Sequence, residues 1–160
     1  VKFRRILARR IFRKCGLNFK AFHHVKLSFG YNLEVGDNVV VHRHVLLDDR
    51  GGISLGDGAS VSDFANVYSH SHDVVEGRDI TTPVTVIEAG VRVTYHATVM
   101  SGVRLAEGSM LGAFAVATKD TEPHGIYAGI PARKIKDKPA RSGQPPTLDP
   151  LADSPADLEA

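Results

Sequence analysis

Residues 87–117 have the sequence IEAGVRVTYHATVMSGVRLAEGSMLGAFAVA, and in this stretch an apolar side chain returns at every sixth position: Ile87, Val93, Val99, Leu105, Leu111 and Ala117. A second, usually smaller residue follows four positions later in most units: Val91, Ala97, Val103, Ser109 and Ala115. A helix repeats near 3.6 residues and a strand at two, so a period of six indicates a coil of short flat sides. With both positions pointing inward, three units complete one coil, and coils stack about 4.8 Å apart through strand pairing.

The same register appears earlier in the chain, so the stack is not confined to one stretch. It occurs at Val35, Val41 and Leu47, and it resumes two residues out of step at Leu55, Val61 and Val67. The slip falls within 48–52, Asp-Asp-Arg-Gly-Gly, where two glycines allow a bulged corner. The pattern predicts an all-β protein whose core is a ladder of like side chains.

The size of the chain predicts one domain that associates with copies of itself. It has 160 residues, a single repeat region and 42% hydrophobic residues. A coil stack of this size buries little surface as a free monomer, and its open ends expose strand edges. We therefore expect self-association.

The N-terminal segment, 1–24, is predicted to form a basic amphipathic helix and cap. Its cations are Lys2, Arg4, Arg5, Arg9, Arg10, Arg13, Lys14 and Lys20, and apolar residues alternate with them at helical spacing: Phe3, Ile6, Leu7, Ile11 and Phe12. Such a helix suits peripheral contact with an anionic membrane. It equally suits a cap whose apolar stripe covers the end of the stack. Nucleic-acid binding is not expected, because the basic and aromatic residues form no known nucleic-acid-binding motif.

The C-terminal segment, 138–160, shifts to Pro, Asp, Ala and Ser without periodicity and is predicted to be a disordered tail. Cys15 is the single cysteine, which excludes an intrachain disulfide and favours a reducing compartment. No apolar run reaches membrane-spanning length, and no signal peptide is recognised. We expect a cytoplasmic protein, with membrane association through the basic helix as an alternative.

The longest interruption of the repeat follows the sequence Ser-His-Ser-His-Asp at 69–73. Residues 73–83 abandon the six-residue pattern, so they are predicted to leave the stack as a loop, which is where function concentrates on a rigid scaffold. The register places His42, His44, His70, His72 and His96 away from the core. An ordinary solvent-exposed position without a function explains any single one of these histidines, but His72 begins the loop beside Asp73. Imidazole titrates near neutral pH, so it suits a general base that takes a proton from a hydroxyl or an amine.

The repeats, the Ser71-His72-Asp73 step, the ending Ala117-Thr118-Lys119-Asp120 and the segment Gly-Ile-Pro-Ala-Arg-Lys-Ile at 129–135 together resemble the hexapeptide-repeat acyltransferases. The likeness covers about residues 25–137 and is greatest to the branch that O-acetylates sugars and polysaccharide precursors. The stretch 42–49, His-Arg-His-Val-Leu-Leu-Asp-Asp, is also similar to that branch.

The resemblance implies a left-handed parallel β-helix that forms a homotrimer, with acyl-CoA in the groove between neighbouring stacks. The implied reaction is transfer of an acetyl group from acetyl-CoA to a hydroxyl of a saccharide acceptor, and no metal is expected. By this resemblance the base is His72, or His70 if the loop is shifted by two residues, and Asp73 orients the loop or the imidazole.

The resemblance also predicts the residues that bind the donor. Gly112 and Ala113 occupy the place where backbone amides meet the pantetheine arm, because small residues allow close backbone approach. Four further residues match positions near the nucleotide end of CoA, where cationic side chains meet phosphate: Thr118, Lys119, Arg133 and Lys134.

The acceptor side departs from the family pattern, since Glu88-Ala89 and Tyr95-His96 replace more usual residues. Tyr95 and His96 suit either acceptor contacts or contacts between subunits. The chemical class of the acceptor, hydroxyl or amine, stays open, as does the length of the acyl chain.

Two other functions remain. The His-X-His pairs 42/44 and 70/72 are compatible with a γ-class carbonic anhydrase, although the His-x4-His spacing of that class is missing. A coil stack without activity, serving as an assembly scaffold, is the second.

Overall fold

A computed structural model describes residues 2–72, 75, 79–80 and 84–139 of the chain. One helix, α1 (Lys2–Ile11), precedes a run of short strands. In the described part of the chain these strands are β1 (Lys14–Cys15), β2 (Lys20–Ala21), β3 (Lys26–Leu27), β4 (Leu33–Val35), β5 (Val40–Val41), β6 (Leu46–Asp48), β7 (Ile53–Leu55), β8 (Ser60–Val61), β9 (Asn66–Tyr68), β10 (Ser71–His72), β11 (Asp79–Ile80), β12 (Thr85–Ile87), β13 (Arg92–Val93), β14 (Thr98–Val99), β15 (Arg104–Leu105), β16 (Met110–Leu111), β17 (Val116–Ala117), β18 (Gly125–Ala128) and β19 (Arg133–Asp137).

The strands form the three flat faces of a prism, and each coil contributes one strand to each face in turn. The first face has the order β1-β4-β7-β12-β15 and the third β3-β6-β9-β14-β17, with parallel pairing throughout. The second face runs β2-β5-β8-β13-β16-β18 in parallel and ends with β19, which pairs antiparallel to β18. The antiparallel strand ends the parallel ladder at the C-terminal coil.

The coils differ in length, and the extra residues lie at one corner. Lys14 pairs with Glu34 and Glu34 with Ser54, each twenty residues on, whereas Val86 pairs with Arg104, eighteen residues on. The surplus lies where the third face of one coil turns into the first face of the next, here called the third corner. Its longest insertion follows β9, so the predicted two-residue slip and the predicted loop lie at the same corner.

The core is the predicted ladder. Val35 pairs with Leu55, Leu55 with Ile87, and Ile87 with Leu105, and all four side chains are buried. The second inward position is buried as well, including Ser109. Stacking like side chains allows close packing within the narrow prism, because each coil repeats the shape of the one below. The predicted left-handed parallel β-helix of hexapeptide repeats, with a short N-terminal helix, is confirmed.

Two other corners are built on residues in the left-handed backbone region. At the corner between the second and third faces these residues are aromatic, with φ of 56° to 61°: His24, His44, Phe64, His96 and Phe114. From His24 to Phe114 their rings stack in sequence at centroid distances of 4.7 to 4.8 Å, which matches the rise per coil. Ring stacking along this aromatic ladder offsets the backbone cost of the left-handed conformation.

The helix α1 lies against the first coil, where Ala8 is buried and Phe12 packs edge-on against Phe19 at 5.5 Å. That coil begins at Lys14, so the stack includes strands β1 and β2 within the segment 1–24 that the sequence assigned to the cap. The division into segments 1–24, 25–137 and 138–160 stays a prediction. Most of the loop 73–83 and of the tail 138–160 lies outside the described residues. Among described helices, none has the length and apolar content needed to cross a membrane.

Truncation of a ladder residue should destabilise the fold more than truncation of an outward one. We expect Leu105→Ala to lower the free energy of unfolding by about 2–5 kcal/mol, because the side chain is fully buried and its removal leaves a cavity between coils. Met100→Ala, at a side chain 40% exposed, is the matched control and should change it by about 0.5 kcal/mol or less. Urea unfolding followed by circular dichroism measures both, and equal losses would contradict the assigned register.

Candidate active site

The Ser-His-Ser-His sequence lies at the third corner, immediately after β9. His72 ends β10, which pairs antiparallel with β11, so the chain leaves the prism here and returns to it before β12. His72 is exposed and His70 is half-buried. Their ring centroids are 4.7 Å apart and the rings are perpendicular, which brings both candidate bases to one point on the surface.

The other predicted outward histidines also avoid the core, as the register indicated. His44 and His96 belong to the aromatic ladder, and His42 stacks on Phe22 with a centroid distance of 5.2 Å. These three therefore have packing partners at another corner. The geometry brings together only His70 and His72 at the base of the predicted loop.

Buried polar side chains hold the third corner together from coil to coil. The Asp49 carboxylate accepts hydrogen bonds from the backbone amides of Phe29 and Gly30 in the coil below, at 2.8 and 2.7 Å. The Ser69 hydroxyl accepts one from Gly51 N–H at 2.9 Å and donates to the carbonyl of Asp48 at 2.6 Å. Ser69 immediately precedes His70, so these bonds fix the backbone from which the histidine projects.

Thr85 does the same on the other side of the insertion. It is fully buried, donates from its hydroxyl to the carbonyl of Tyr68 at 2.7 Å, and accepts from Gly102 N–H at 2.9 Å. It thereby joins the residue before the Ser-His step to the corner of the following coil. Sequence reasoning did not single out Ser69 or Thr85. The available signal was a small polar residue two positions from a ladder residue, beside the longest break in the repeat.

An ion pair strengthens the corner below the histidines. Asp48, 4% exposed, contacts the Arg50 guanidinium at 2.7 Å and accepts from the Ser28 hydroxyl at 2.8 Å. The hydrogen bond from Arg50 is the main cause that lowers the pKa of the Asp48 carboxyl to about 2, against an opposing effect of burial. The sequence Asp48-Asp49-Arg50 is thus a structural brace beneath the candidate bases.

Three of the four residues predicted near the nucleotide end of CoA come together around one groove. It has a volume of about 280 Å³, lies beside the end of β17, and is lined by residues that include Lys119, Arg133 and Lys134. Lys134 donates to Glu122 at 2.6 Å and lies 2.8 Å from Asp137, and these hydrogen bonds raise its pKa above the usual range. Lys119 and Arg133 form no ion pair with the residues that the structure describes. Thr118 is exposed at the end of β17, outside the lining.

The Gly112-Ala113 pair lies at the turn after β16. Gly112 N–H donates to the carbonyl of Tyr127 at 2.7 Å, and a Cβ at Gly112 would lie 3.0 Å from that same oxygen. Close packing against β18 is thus sufficient to explain the glycine. Ala113 is exposed. The predicted contact of this pair with the pantetheine arm stays a prediction.

Within the described residues of one chain, His42/His44 and His70/His72 do not converge into a set of metal ligands. The group whose ligand atoms lie within 4.8 Å of one another is His23, His24 and His44, all exposed. Desolvation lowers the pKa of His23, and its neighbours His24, Arg43, His44 and Arg4 lower it further. The two arginines would also repel a divalent cation. The γ-class carbonic anhydrase alternative therefore gains no support from this arrangement.

Comparison with known proteins bears on the class that this fold and site define. The chain is 26% identical over 142 residues to the galactoside O-acetyltransferase of Escherichia coli, covering 86% of the chain and 70% of that protein. Its fold matches a maltose O-acetyltransferase from Clostridium difficile, with TM-score 0.80 and 23% identity, covering 87% of this chain and 76% of the other. It also matches a hexapeptide-repeat acetyltransferase from Vibrio cholerae complexed with acetyl coenzyme A, with TM-score 0.79 and 24% identity, covering 85% and 76%. No protein-family profile matches the chain.

These findings confirm the resemblance to the hexapeptide-repeat acetyltransferases that the sequence indicated. The relatives are named as O-acetyltransferases and one matched structure holds acetyl coenzyme A, which makes acetyl transfer the activity to propose for this chain. The acceptor, the base and the residues that bind CoA are finer points, and they are taken up under the proposed function.

Removal of the Asp48 charge should make stability less dependent on pH. Because the folded-state pKa of Asp48 lies below that of the unfolded chain, its stabilisation is present above about pH 4 and is lost as the pH falls toward 2. Asp48→Asn should therefore lower the free energy of unfolding by about 2 kcal/mol at pH 7, with the difference from wild type shrinking below pH 4. Urea unfolding between pH 2.5 and 7 measures it.

The control for this series is Glu107→Gln, which neutralises an exposed carboxylate at another corner. Its difference from wild type should stay small at every pH. A pH-independent loss in Asp48→Asn would contradict the ion-pair account.

Proposed function

We propose that this protein transfers an acetyl group from acetyl-CoA to a hydroxyl of a saccharide, with a histidine at the third corner as general base. The observation that carries the proposal is that Lys119, which lines the cationic groove at the C-terminal end of the stack, lies at the same corner as the candidate bases. His70 and His72 follow β9 and Lys119 follows β17, two coils further along the third face. At about 4.8 Å per coil the separation is roughly 10 Å, which an extended pantetheine arm can span.

In the proposed reaction His72 accepts the proton of the acceptor hydroxyl as its oxygen attacks the thioester carbonyl. A backbone amide donates to the oxyanion that develops, and collapse of the tetrahedral intermediate releases the CoA thiol. No acyl-enzyme is required. The exposure of His72 leaves it accessible to an acceptor, while half-buried His70, perpendicular to it, is the alternative base. Asp73, predicted to orient the imidazole, lies outside the described residues.

The donor's phosphates are proposed to bind in the groove lined by Lys119 and Arg133. These cations face solvent at the C-terminal end of the stack, and a phosphate between them would gain charge-assisted hydrogen bonds. Lys134 would have to exchange Glu122 or Asp137 for phosphate, so its contribution should be smaller. Thr118, Gly112 and Ala113 complete the proposed donor site.

The proposed functional unit is a homotrimer, with the donor groove between neighbouring stacks. The aromatic ladder supports self-association, because Phe64, Tyr95 and Phe114 are 38%, 45% and 61% exposed along one corner. Exposed contiguous aromatic surface of this kind is typical of contacts between chains. Tyr95 stands edge-on to Phe64 and Phe114, which places it in this surface and favours a subunit contact over an acceptor contact.

Replacement of the base should reduce the rate of acetyl transfer and leave donor binding intact. We expect His72→Ala to lower kcat by about 10²- to 10⁴-fold with little change in KM for acetyl-CoA, because the base acts on the acceptor proton. Release of free CoA against a panel of sugars and amino sugars measures both the effect and the acceptor class. A preference for amino sugars would show that the acceptor group is an amine and not the proposed hydroxyl.

His42→Ala is the control for this measurement, since His42 also stacks on an aromatic ring but lies away from the third corner. Parallel assay of His70→Ala decides between the two candidate bases. Turnover that survives in both His72→Ala and His70→Ala would refute the proposed base.

Loss of the groove cations should weaken donor binding instead. Arg133→Ala and Lys119→Ala should each raise KM for acetyl-CoA by roughly tenfold, with kcat maintained, because each removes a charge-assisted bond to phosphate. Arg92→Ala, at an exposed cation on the second face, is the matched control. An unchanged KM in both groove variants would place the nucleotide elsewhere, and absence of saturable acetyl-CoA binding in wild type would favour the scaffold alternative.

A further inference from the structure

Positive charge is concentrated at the N-terminal end of the prism. The first 33 residues contain nine Lys and Arg residues and no Asp or Glu, whereas the remaining 127 contain eleven Lys and Arg against eighteen Asp and Glu. The described structure places the first group on α1 and the first coil, so the positive charge is concentrated at the N-terminal end of the stack. This end therefore attracts an anionic partner.

The same end exposes large apolar side chains. Phe3 and Ile6 on α1 are 71% and 55% exposed, and further exposed apolar residues lie on the helix or in the first coil: Leu7, Ile11, Leu17, Leu27, Phe29 and Tyr31. An aqueous phosphate-rich partner such as a nucleic acid offers nothing to cover Phe3 and Ile6. A surface that combines charged groups with an apolar layer can cover these two side chains and contact the cations as well.

The helix presents different sides to the stack and to the exterior. Ala8, 5% exposed, packs into the core, while Arg9 and Arg10 are exposed. At 100° per residue, Phe3 and Ile6 fall on the side of the helix away from Ala8, with Arg10 between them and Arg9 to one side. The helix thus covers the first coil with one side and exposes apolar and cationic side chains together on the other.

We propose that this end of the protein binds the surface of an anionic lipid bilayer, with α1 lying in the interface. Phe3 and Ile6 insert below the headgroups, and the surrounding arginines and lysines contact lipid phosphates. The cap and the membrane contact, which the sequence left as alternatives, are two sides of one helix. This inference is independent of the proposed acetyl transfer, because the helix shares no residue with the candidate bases or the cationic groove.

Vesicle co-sedimentation with the whole chain tests the proposal. Wild type should partition onto vesicles of phosphatidylcholine and phosphatidylglycerol at 3:1, at least tenfold more than onto phosphatidylcholine alone, and 0.5 M NaCl should remove most of the difference. Phe3→Ser with Ile6→Ser should reduce partitioning by tenfold or more, and Arg9→Gln with Arg10→Gln should reduce it by a similar factor.

Controls separate membrane binding from folding and assembly. Ile135→Ser, at a side chain 63% exposed on the C-terminal strand β19, and Arg92→Gln should leave partitioning unchanged. Circular dichroism and CoA release should be unchanged in the helix variants. Failure of wild type to bind anionic vesicles would overturn the proposal. So would a reduced mass of the Phe3→Ser, Ile6→Ser variant in light scattering with vesicle binding retained, because α1 would then be a contact between copies of the chain.

Discussion

Hydrogen bonding between successive coils is the constraint on which the rest of this structure depends. Each strand of the three parallel ladders has two to four residues, which is too few to be stable alone. Every coil therefore depends on its neighbours in the stack for backbone hydrogen-bond partners. Such a stack tolerates extra residues only at a corner, where the chain can bulge without disturbing the strands. In this protein the third corner takes all of the longer insertions that the register reveals.

The insertion corner needs its own stabilisation because it lacks the regular ladder. Asp49, Ser69 and Thr85 supply it as buried side chains that bond to backbone groups of adjacent coils. Buried polar groups of this kind are costly unless they are fully bonded, and when bonded they fix one geometry. The candidate bases project from backbone that is anchored on both sides, which is the rigidity that a general base requires.

Much of the fold could be predicted from the sequence because the ladder residues are set by period alone. Ile87 through Ala117 obey the six-residue rule, and every one of them is buried where the rule places it. The first coil was harder to recognise, since Phe19 replaces the small residue typical of the second inward position and the helix replaces a coil below it. Its strands β1 and β2 pair with β4 and β5 all the same.

The candidate site was predictable in part. The register placed His70 and His72 outside the core, and the resemblance pointed to the cations that line the groove. Neither showed that Lys119 lies at the same corner as the two histidines. That juxtaposition depends on the three-face topology, which a linear pattern does not contain. The bracing by Ser69 and Thr85 was also out of reach, because a single small polar residue beside an irregular segment has many ordinary explanations.

Location of CoA in a crystal structure of the complex is the most direct test of the central claim that one edge of the prism serves both donor and base. The account predicts the phosphates between Lys119 and Arg133, with the pantetheine arm running along the third corner so that the thiol ends beside His70 and His72. Phosphates bound at either of the other two corners, or a thiol directed away from both histidines, would contradict it.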